Sequence, residues 1–418
     1  MPERLTRDGA CDWLRRHGPV FVAGASGTPA GLLDHLAGDP ARSAGLDLLT
    51  SLVPGINRLD IDRLHPTARV TGLFAQPAFR AAQAEGRFRM LSTSHGGFLR
   101  HLRERAGLAG TVVMLTPPDA AGRCSLGPCA EFAVTAMAHA STVLGVINPS
   151  LPRPADAPTV AYGDLDAVVE FDEAPAAYDL GTPDAAAIAI AGHVAGLIAD
   201  GAALQVGLGK VPGALLAALK DRRRLRLFSG MLGDELLDLD AAGSLDPNFA
   251  HTACALVGSP AFYYRLDGYD RVAVRGCEVT HDMAQLLAIP GFTAVNSAVE
   301  VDLLGQANAE FVGGRAISGA GGAPDFARAA RLGQGGRSIV ALSAVAGRDQ
   351  LSRIVPRLGA AAVCSIPRYD VDLIVTEYGI ADLRGRSVHE RAEAIVQVAA
   401  PMHRSALTAA WREMAHIL

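Results

Sequence analysis

One glycine-rich turn carries the plainest chemistry in this chain. Gln205-Val206-Gly207-Leu208-Gly209 leads from a β-rich run into a helical stretch that begins near Pro212. Proline suits a first helical turn, where its missing N–H costs nothing. Glycines let the backbone approach a ligand closely, and the free N–H groups of a helix start favour an anion or a carbonyl oxygen. Such turns occur throughout α/β proteins, so this one alone specifies no ligand. It is not a dinucleotide fingerprint, because Pro212 stands where the third glycine belongs. The six cysteines, Cys11, Cys124, Cys129, Cys254, Cys277 and Cys364, are scattered without a CxxC pair. That spacing indicates neither a zinc site nor a disulfide framework, so no metal is expected and the thiols read as buried and reduced.

Parallel strands must position such a turn. β-Rich runs recur at Pro19–Ala23, Ala68–Leu73, Phe88–Ser92, Thr111–Leu115, Thr142–Ile147 and Ala167–Phe171. Helix-like stretches, Pro29–Leu36, Pro77–Ala84 and Ala130–Ala140, lie between them. This alternation predicts parallel sheets covered by helices. A second series follows the Pro- and Ala-rich stretch Glu173–Pro183, with a helix over Ala185–Ala199 and a strand over Ala203–Gly207. Further strands are predicted at Leu225–Phe228, Ala253–Val257, Arg271–Val274, Thr293–Val301, Ser338–Leu342 and Asp372–Thr376. Helices over Ser387–Ala399 and Ser405–Ile417 close the chain. The fold class is therefore α/β, with two open α/β domains over residues 1–181 and 182–418, meeting near Thr182. No short-period repeat is visible, so any likeness of the halves is a fold-level duplication.

Composition narrows the function. The 418 residues are half hydrophobic and 19% charged, enough for sizeable cores in two domains. A net charge of −5 gives no electrostatic case for nucleic acid or an anionic membrane. Met1–Ala10 is polar and has no apolar export segment, so a cytoplasmic location is expected. The longest apolar run, Ala185–Ala199, has 15 residues and contains His193, which is too short for a membrane span.

Several motifs point further. Gly207–Leu239 contains G-L-G-K-V-P, a helix-like stretch, then Phe228-Ser229-Gly230-Met231 and Asp234. Asn296-Ser297-Ala298-Val299-Glu300-Val301-Asp302-Leu303 precedes Gly305-Gln306-Ala307-Asn308, and Ser318-Gly319-Ala320-Gly321-Gly322-Ala323-Pro324-Asp325-Phe326 follows. Pro367–Asp372, Thr376–Ala381 and Leu383–Ser387 come later, and Pro117-Pro118-Asp119, Cys124–Gly127 and Val146–Pro149 come earlier. Together, and in this order, they resemble the acetyl-CoA hydrolase/transferase family, which includes the 4-hydroxybutyrate and succinyl:acetate CoA-transferases. The resemblance covers nearly the whole chain.

The resemblance implies a CoA-transferase fold with its cleft between the domains, and coenzyme A bound as acyl-CoA substrate or product. Gly207, Leu208, Gly209, Lys210 and Val211, with Ser318, Gly321 and Gly322, would contact CoA. Val299 would border the pantetheine arm, and the Gly322 N–H would form part of an oxyanion hole. Ala323 and Pro324 depart from the family's glutamine-containing loop. The family's strand ends H-[ST]-E-M, and its glutamate attacks the thioester and then carries CoA. Gly230, 23 residues after Gly207, stands at that glutamate's position and cannot do this.

His281 takes the place of a family asparagine that lies near the glutamate. A side-chain-sized space beside a titratable histidine would seat a water or a larger substrate, with His281 as general base or acid. Asp282 would orient it, or would simply cap a helix. The competing view is that His281 is a structural polar residue in a binding-only site. Glu235 reads as a solvated or capping residue, with a rescued nucleophile as the alternative. His95, His101, His193, His389 and His403 read as solvated or core residues. Three functions follow: a hydrolase cleaving a thioester or C–C bond of an acyl-CoA, a CoA-transferase with a non-standard nucleophile or ternary complex, or a non-catalytic or non-CoA binding protein. The implied partners are a small-molecule acyl-CoA or carboxylic acid and further copies of the chain as a homo-oligomer, with no nucleic acid and no membrane.

Overall fold

The computed structural model describes residues 1–179 and 181–416. Two eight-stranded sheets organise them. The first runs Glu3–Arg4, Ala167–Glu170, Thr142–Ile147, Gly110–Leu115, Val20–Val22, Asp47–Thr50, Arg69–Gly72, Phe88–Met90, with every neighbouring pair parallel. The second runs Ala273–Val274, Thr252–Leu256, Arg226–Leu232, Ala203–Val206, Phe292–Ser297, Arg337–Ala341, Leu373–Thr376, Gly379–Asp382, and only its last strand is antiparallel. Strands covered on both faces need apolar residues throughout. Gly110–Leu115 and Thr252–Leu256 are buried at every position.

The two sheets share one winding order. Apart from the edge strand Glu3–Arg4, the first strand of each series is central: Val20–Val22, then Ala203–Val206. Three strands step outward from it, and the chain returns to its other side at Gly110–Leu115 or Phe292–Ser297. Each sheet is drawn from one side of Thr182, yet the largest buried cluster joins them. Val113, Leu115 and Ile147 pack in it with Leu204, Leu227 and Val295.

The elements follow the sequence pattern with local differences. Asp47–Thr50 is an inner strand that the sequence pattern did not reveal. Thr293–Val301 is broken into Phe292–Ser297 and Glu300–Asp302. Pro77–Ala84 opens as a 3-10 turn before the helix Arg80–Ala84, and the apolar helix Ala185–Ala195 stops short of Ala199. The last helix is Pro401–Ala415, and the predicted terminus at Ile417 lies outside the described residues. No helix among the described residues is long and apolar enough to cross a membrane.

The glycine-rich loop of the second half is seated on the first. The Gly321 carbonyl accepts from His95 N at 3.0 Å. Asp325 accepts from Ser94 Oγ at 2.8 Å and from Gly96 N at 3.0 Å. Its carboxylate thus adds to the Ser94 cap at the start of helix His95–Glu104, where a negative group is favoured. A Cβ on Gly319 would stand 2.2 Å from the Leu73 carbonyl oxygen, so only glycine permits this approach. Gly319→Ala should therefore lose on the order of 1–3 kcal/mol of stability in urea unfolding. Gly192→Ala, which meets nothing within 4 Å in mid-helix, should be neutral or stabilising. Equal behaviour of the two variants would mean that the seam does not need the bare Gly319 backbone.

Candidate active site at the seam of the two halves

In open α/β sheets, ligands bind beyond the carboxyl ends of the strands where the winding order reverses. In the second sheet that point lies between the paired strands Ala203–Val206 and Phe292–Ser297. Gly207, Leu208 and Gly209 leave the first strand, and Ala298 and Val299 leave the second. Gly209 has φ 134°, a region that L-residues rarely adopt, and it caps the helix Lys210–Ala218. The helix thus starts at Lys210, with Pro212 inside its first turn. Lys210 and Val211 form the first turn, so these five predicted residues share one lip and Val299 stands on the other.

The second glycine loop also ends on a helix. Gly322 caps Ala323–Leu332, and Pro324 occupies its first turn, where a missing N–H is tolerated. Ser318, Gly321 and Gly322 are partly exposed. This loop and the strand Arg226–Leu232 meet at His281. A Cβ on Gly230 would stand 3.5 Å from His281 Nε2 and Cε1 and 3.5 Å from Phe326 Cε2. Gly230 has no left-handed φ, so alanine fits without strain. The expected empty space is therefore narrow, because the imidazole itself walls it. A longer side chain here must displace His281 or Phe326. A Cβ on Gly322 would stand 2.2 Å from His281 Nε2, so the ring lies where it does only because residue 322 is glycine.

Hydrogen bonds fix the ring. Thr280 Oγ1 donates to the Gly276 carbonyl at 3.4 Å, leaving a lone pair for His281 Nδ1–H at 2.9 Å. His281 Nε2 then accepts from His95 Nδ1–H at 3.0 Å. Asp282 plays no part in this chain: its carboxylate accepts from Gln285 N at 2.9 Å and caps Met283–Leu287. Thr280 and His95 orient His281 in its place.

His95 is the site residue that sequence reasoning missed. It is buried at the start of His95–Glu104, edge-on to Phe74 and Phe132. Its Nε2 has no partner. It lies 186 residues from His281, and no local pattern links them. Burial pushes His95 down to about 4. Burial, helped by neighbouring His95, holds His281 well below the usual histidine range. Both rings are thus neutral at pH 7, and the expected titration of His281 near neutrality does not occur in the free protein.

Further buried groups line the same seam. Cys254 Sγ donates to the Gly230 carbonyl at 2.9 Å. Burial, and then Cys254, push the Cys277 thiol well up. The Glu131 carbonyl accepts from Cys277 N at 2.6 Å. Its carboxylate accepts from Ser51 Oγ at 2.6 Å and Gly24 N at 3.2 Å. Glu235 is half-buried rather than solvated. It begins the helix Glu235–Ala241 and lines a recess of about 10 Å³, room for one water, with Gly207–Gly209 and Met231. Burial raises its carboxyl above the usual range.

Comparison with known proteins accords with this geometry. Residues 258–411 match the Acetyl-CoA hydrolase/transferase C-terminal domain. The chain is 29% identical over 413 residues to the 4-hydroxybutyrate coenzyme A transferase of Clostridium kluyveri, covering 96% of each. It is 32% identical over 328 residues to the butyryl-CoA:acetate CoA-transferase of Anaerostipes caccae, covering 74% of this chain and 73% of that one. The crystal structure of RipA from Yersinia pestis superposes with a TM-score of 0.89 at 26% identity, over 100% of this chain and 98% of that one.

Glu131 makes the seam sensitive to pH. Burial raises its carboxyl from 4.5 to about 7, against the opposing Ser51 and Gly24 hydrogen bonds. Between those values the folded chain keeps a proton that the unfolded chain has lost. Stability therefore falls as pH rises from about 4.5 through about 7. The full span corresponds to roughly 3 kcal/mol at most. Glu131→Gln should remove this loss, gaining about 1–3 kcal/mol on wild type at pH 8 relative to pH 5 in urea unfolding. An equal difference at both pH values would show that Glu131 ionises as readily folded as unfolded.

Proposed function

We propose, because this chain belongs to the acetyl-CoA hydrolase/transferase family, that it processes an acyl-CoA with water rather than through an enzyme glutamate. One observation carries the reading: the residue facing the buried imidazole of His281 is Gly230, which has no side chain to attack a thioester. In this reading the CoA arm lies along Gly207–Val211 and Val299, on the helix start of Lys210–Ala218. The thioester carbonyl faces the N–H groups at Gly322, at the start of Ala323–Leu332, where negative charge on oxygen is stabilised.

Water then attacks the carbonyl carbon from the Gly230 side. His281 Nε2 takes the water proton, after exchanging the His95 Nδ1–H for that water. The C–S bond breaks, and the proton passes to the departing CoA thiolate. The products are a carboxylic acid and CoA. Burial opposes imidazolium, so His281 gives the proton up promptly. A C–C bond activated by a neighbouring thioester is open to the same attack. Asp282 acts only by capping the helix that follows His281.

The buried Glu235 carboxylate beneath the glycine turn favours a second reading, CoA transfer through that residue. Thiol release from a panel of acyl-CoA substrates, with and without acetate, separates the two. Hydrolysis proceeds in carboxylate-free buffer and leaves no borohydride-trapped glutamyl alcohol. Acetate-dependent turnover with an alcohol at Glu235 would replace the hydrolase reading with the transferase. No turnover of any acyl-CoA would leave a binding protein.

His281→Asn should lower hydrolysis by roughly 10²–10⁴-fold in kcat with KM little changed. Full activity in that variant would make His281 structural. Gly230→Glu alone should lose stability, because its carboxylate meets His281 and Phe326. Gly230→Glu combined with His281→Asn opens that space and should gain acetate-dependent CoA transfer. If the single variant is as stable as wild type, the imidazole does not wall the position.

A further inference from the structure

Three potential metal ligands converge at the seam. The donor atoms of His95, Cys277 and His281 all lie within 4.8 Å of one another, and all three residues are buried. Cys277 and His281 are four residues apart on one turn, with His281 N donating to the Cys277 carbonyl at 2.9 Å, so both side chains leave the same face. His95 comes from the other half of the molecule. The turn and the long-range contact together explain why cysteine spacing alone pointed to no site.

We propose that His95, Cys277 and His281 form a binding site for one borderline-soft divalent cation of the zinc class, clamped between the two halves. Imidazole nitrogen and thiolate sulfur are the donor set such ions prefer. His281 is already prepared for this role: its Nδ1–H is held by Thr280 Oγ1, which leaves the Nε2 lone pair as the donor. His95 Nδ1 lies 3.0 Å from that nitrogen. Two nitrogens on a tetrahedral zinc stand roughly 3.3 Å apart, so a small separation of the rings admits the ion. The ion replaces the proton shared by the two rings, and His95 then carries its hydrogen on Nε2, the atom that now lacks a partner.

Charge also balances. Binding releases the Cys277 thiol proton to solvent, leaving two neutral rings and one thiolate on a divalent ion. Three protein donors leave a fourth coordination position, on the side where Gly230 and Gly322 carry no side chain and Phe326 is the neighbouring wall. A solvent chloride there would neutralise the remaining charge without releasing a further proton. The ion and the general-base role claim the same His281 Nε2 and so occupy the site alternatively, and the test reads binding without turnover.

The probe is cobalt(II), followed by displacement with zinc(II), on full-length protein carrying Cys364→Ser to remove the one exposed thiol. The expected result is one cobalt per chain retained through gel filtration, with intense tetrahedral d–d bands, a thiolate-to-cobalt charge-transfer band and one proton released per ion. Cys277→Ser should abolish the charge-transfer band. His95→Gln should keep that band and weaken binding at least tenfold. Should Cys277→Ser fail to fold, the wild-type spectrum and the His95→Gln titration decide alone. No retained cobalt, weak octahedral bands without thiolate character, or unchanged affinity in His95→Gln would each overturn the site.

Discussion

The seat of the glycine loop on the first half is the constraint on which the site depends. Gly319 lies against the Leu73 carbonyl, Gly321 accepts from His95 N, and Gly322 lets the His281 ring close on the helix start. The Gly319 and Gly322 contacts require a residue without a side chain, and those of Gly319 and Gly321 fix elements of the opposite half. The His95–His281 hydrogen bond crosses the same seam at 3.0 Å. The seam is therefore positioned by backbone sterics first and by polar contacts second. Sterics of this kind are stiff, because close-packed interiors do not deform continuously.

The sequence made the scaffold legible because its signals are local. Apolar runs bounded by glycine and proline located most strands, and Gly207–Gly209 marked the turn from strand to helix. Asp47–Thr50 escaped because a four-residue strand opening on aspartate has too little pattern to register. At the site, local signals ran out. Asp282 next to His281 suggested a pair, but a carboxylate one residue before a helix finds the nearer backbone donor of Gln285. His95 carried no signal, because its meaning arises from a partner in the other half. The imidazole beside Gly230 left no local signal either, because it reaches that glycine from a separate turn.

Burial decides the electrostatics of the seam more than any ion pair. His95 and His281 are held neutral, and Glu131 and Cys277 are held toward their protonated forms. Below about pH 7 little charge is buried, which spares the cost that an unpaired buried ion would impose. The pH responses of these groups run in opposite directions. The histidines oppose folding as pH falls through their range, and Glu131 opposes it as pH rises through its own. The windows overlap in weakly acid solution, so the histidine and glutamate contributions partly offset one another there.

The shared winding order explains why the molecule has one such site rather than two. The first sheet reverses between Val20–Val22 and Gly110–Leu115, as the second does beside Gly207. Gly24 leaves that first reversal point much as Gly207 leaves the second. There the backbone donors already have protein partners. Gly24 N is taken by Ser51 Oγ at 2.9 Å and by the Glu131 carboxylate, and Ala25 N by Asn57 Oδ1 at 2.8 Å. A carboxylate from within the chain thus occupies the position where a ligand anion would bind. At the second reversal point Gly209 has no side-chain cap, so the helix start keeps its donors free. Two halves of like topology thus differ at their reversal points: one crevice is plugged by its own acid, and the other is walled by glycine.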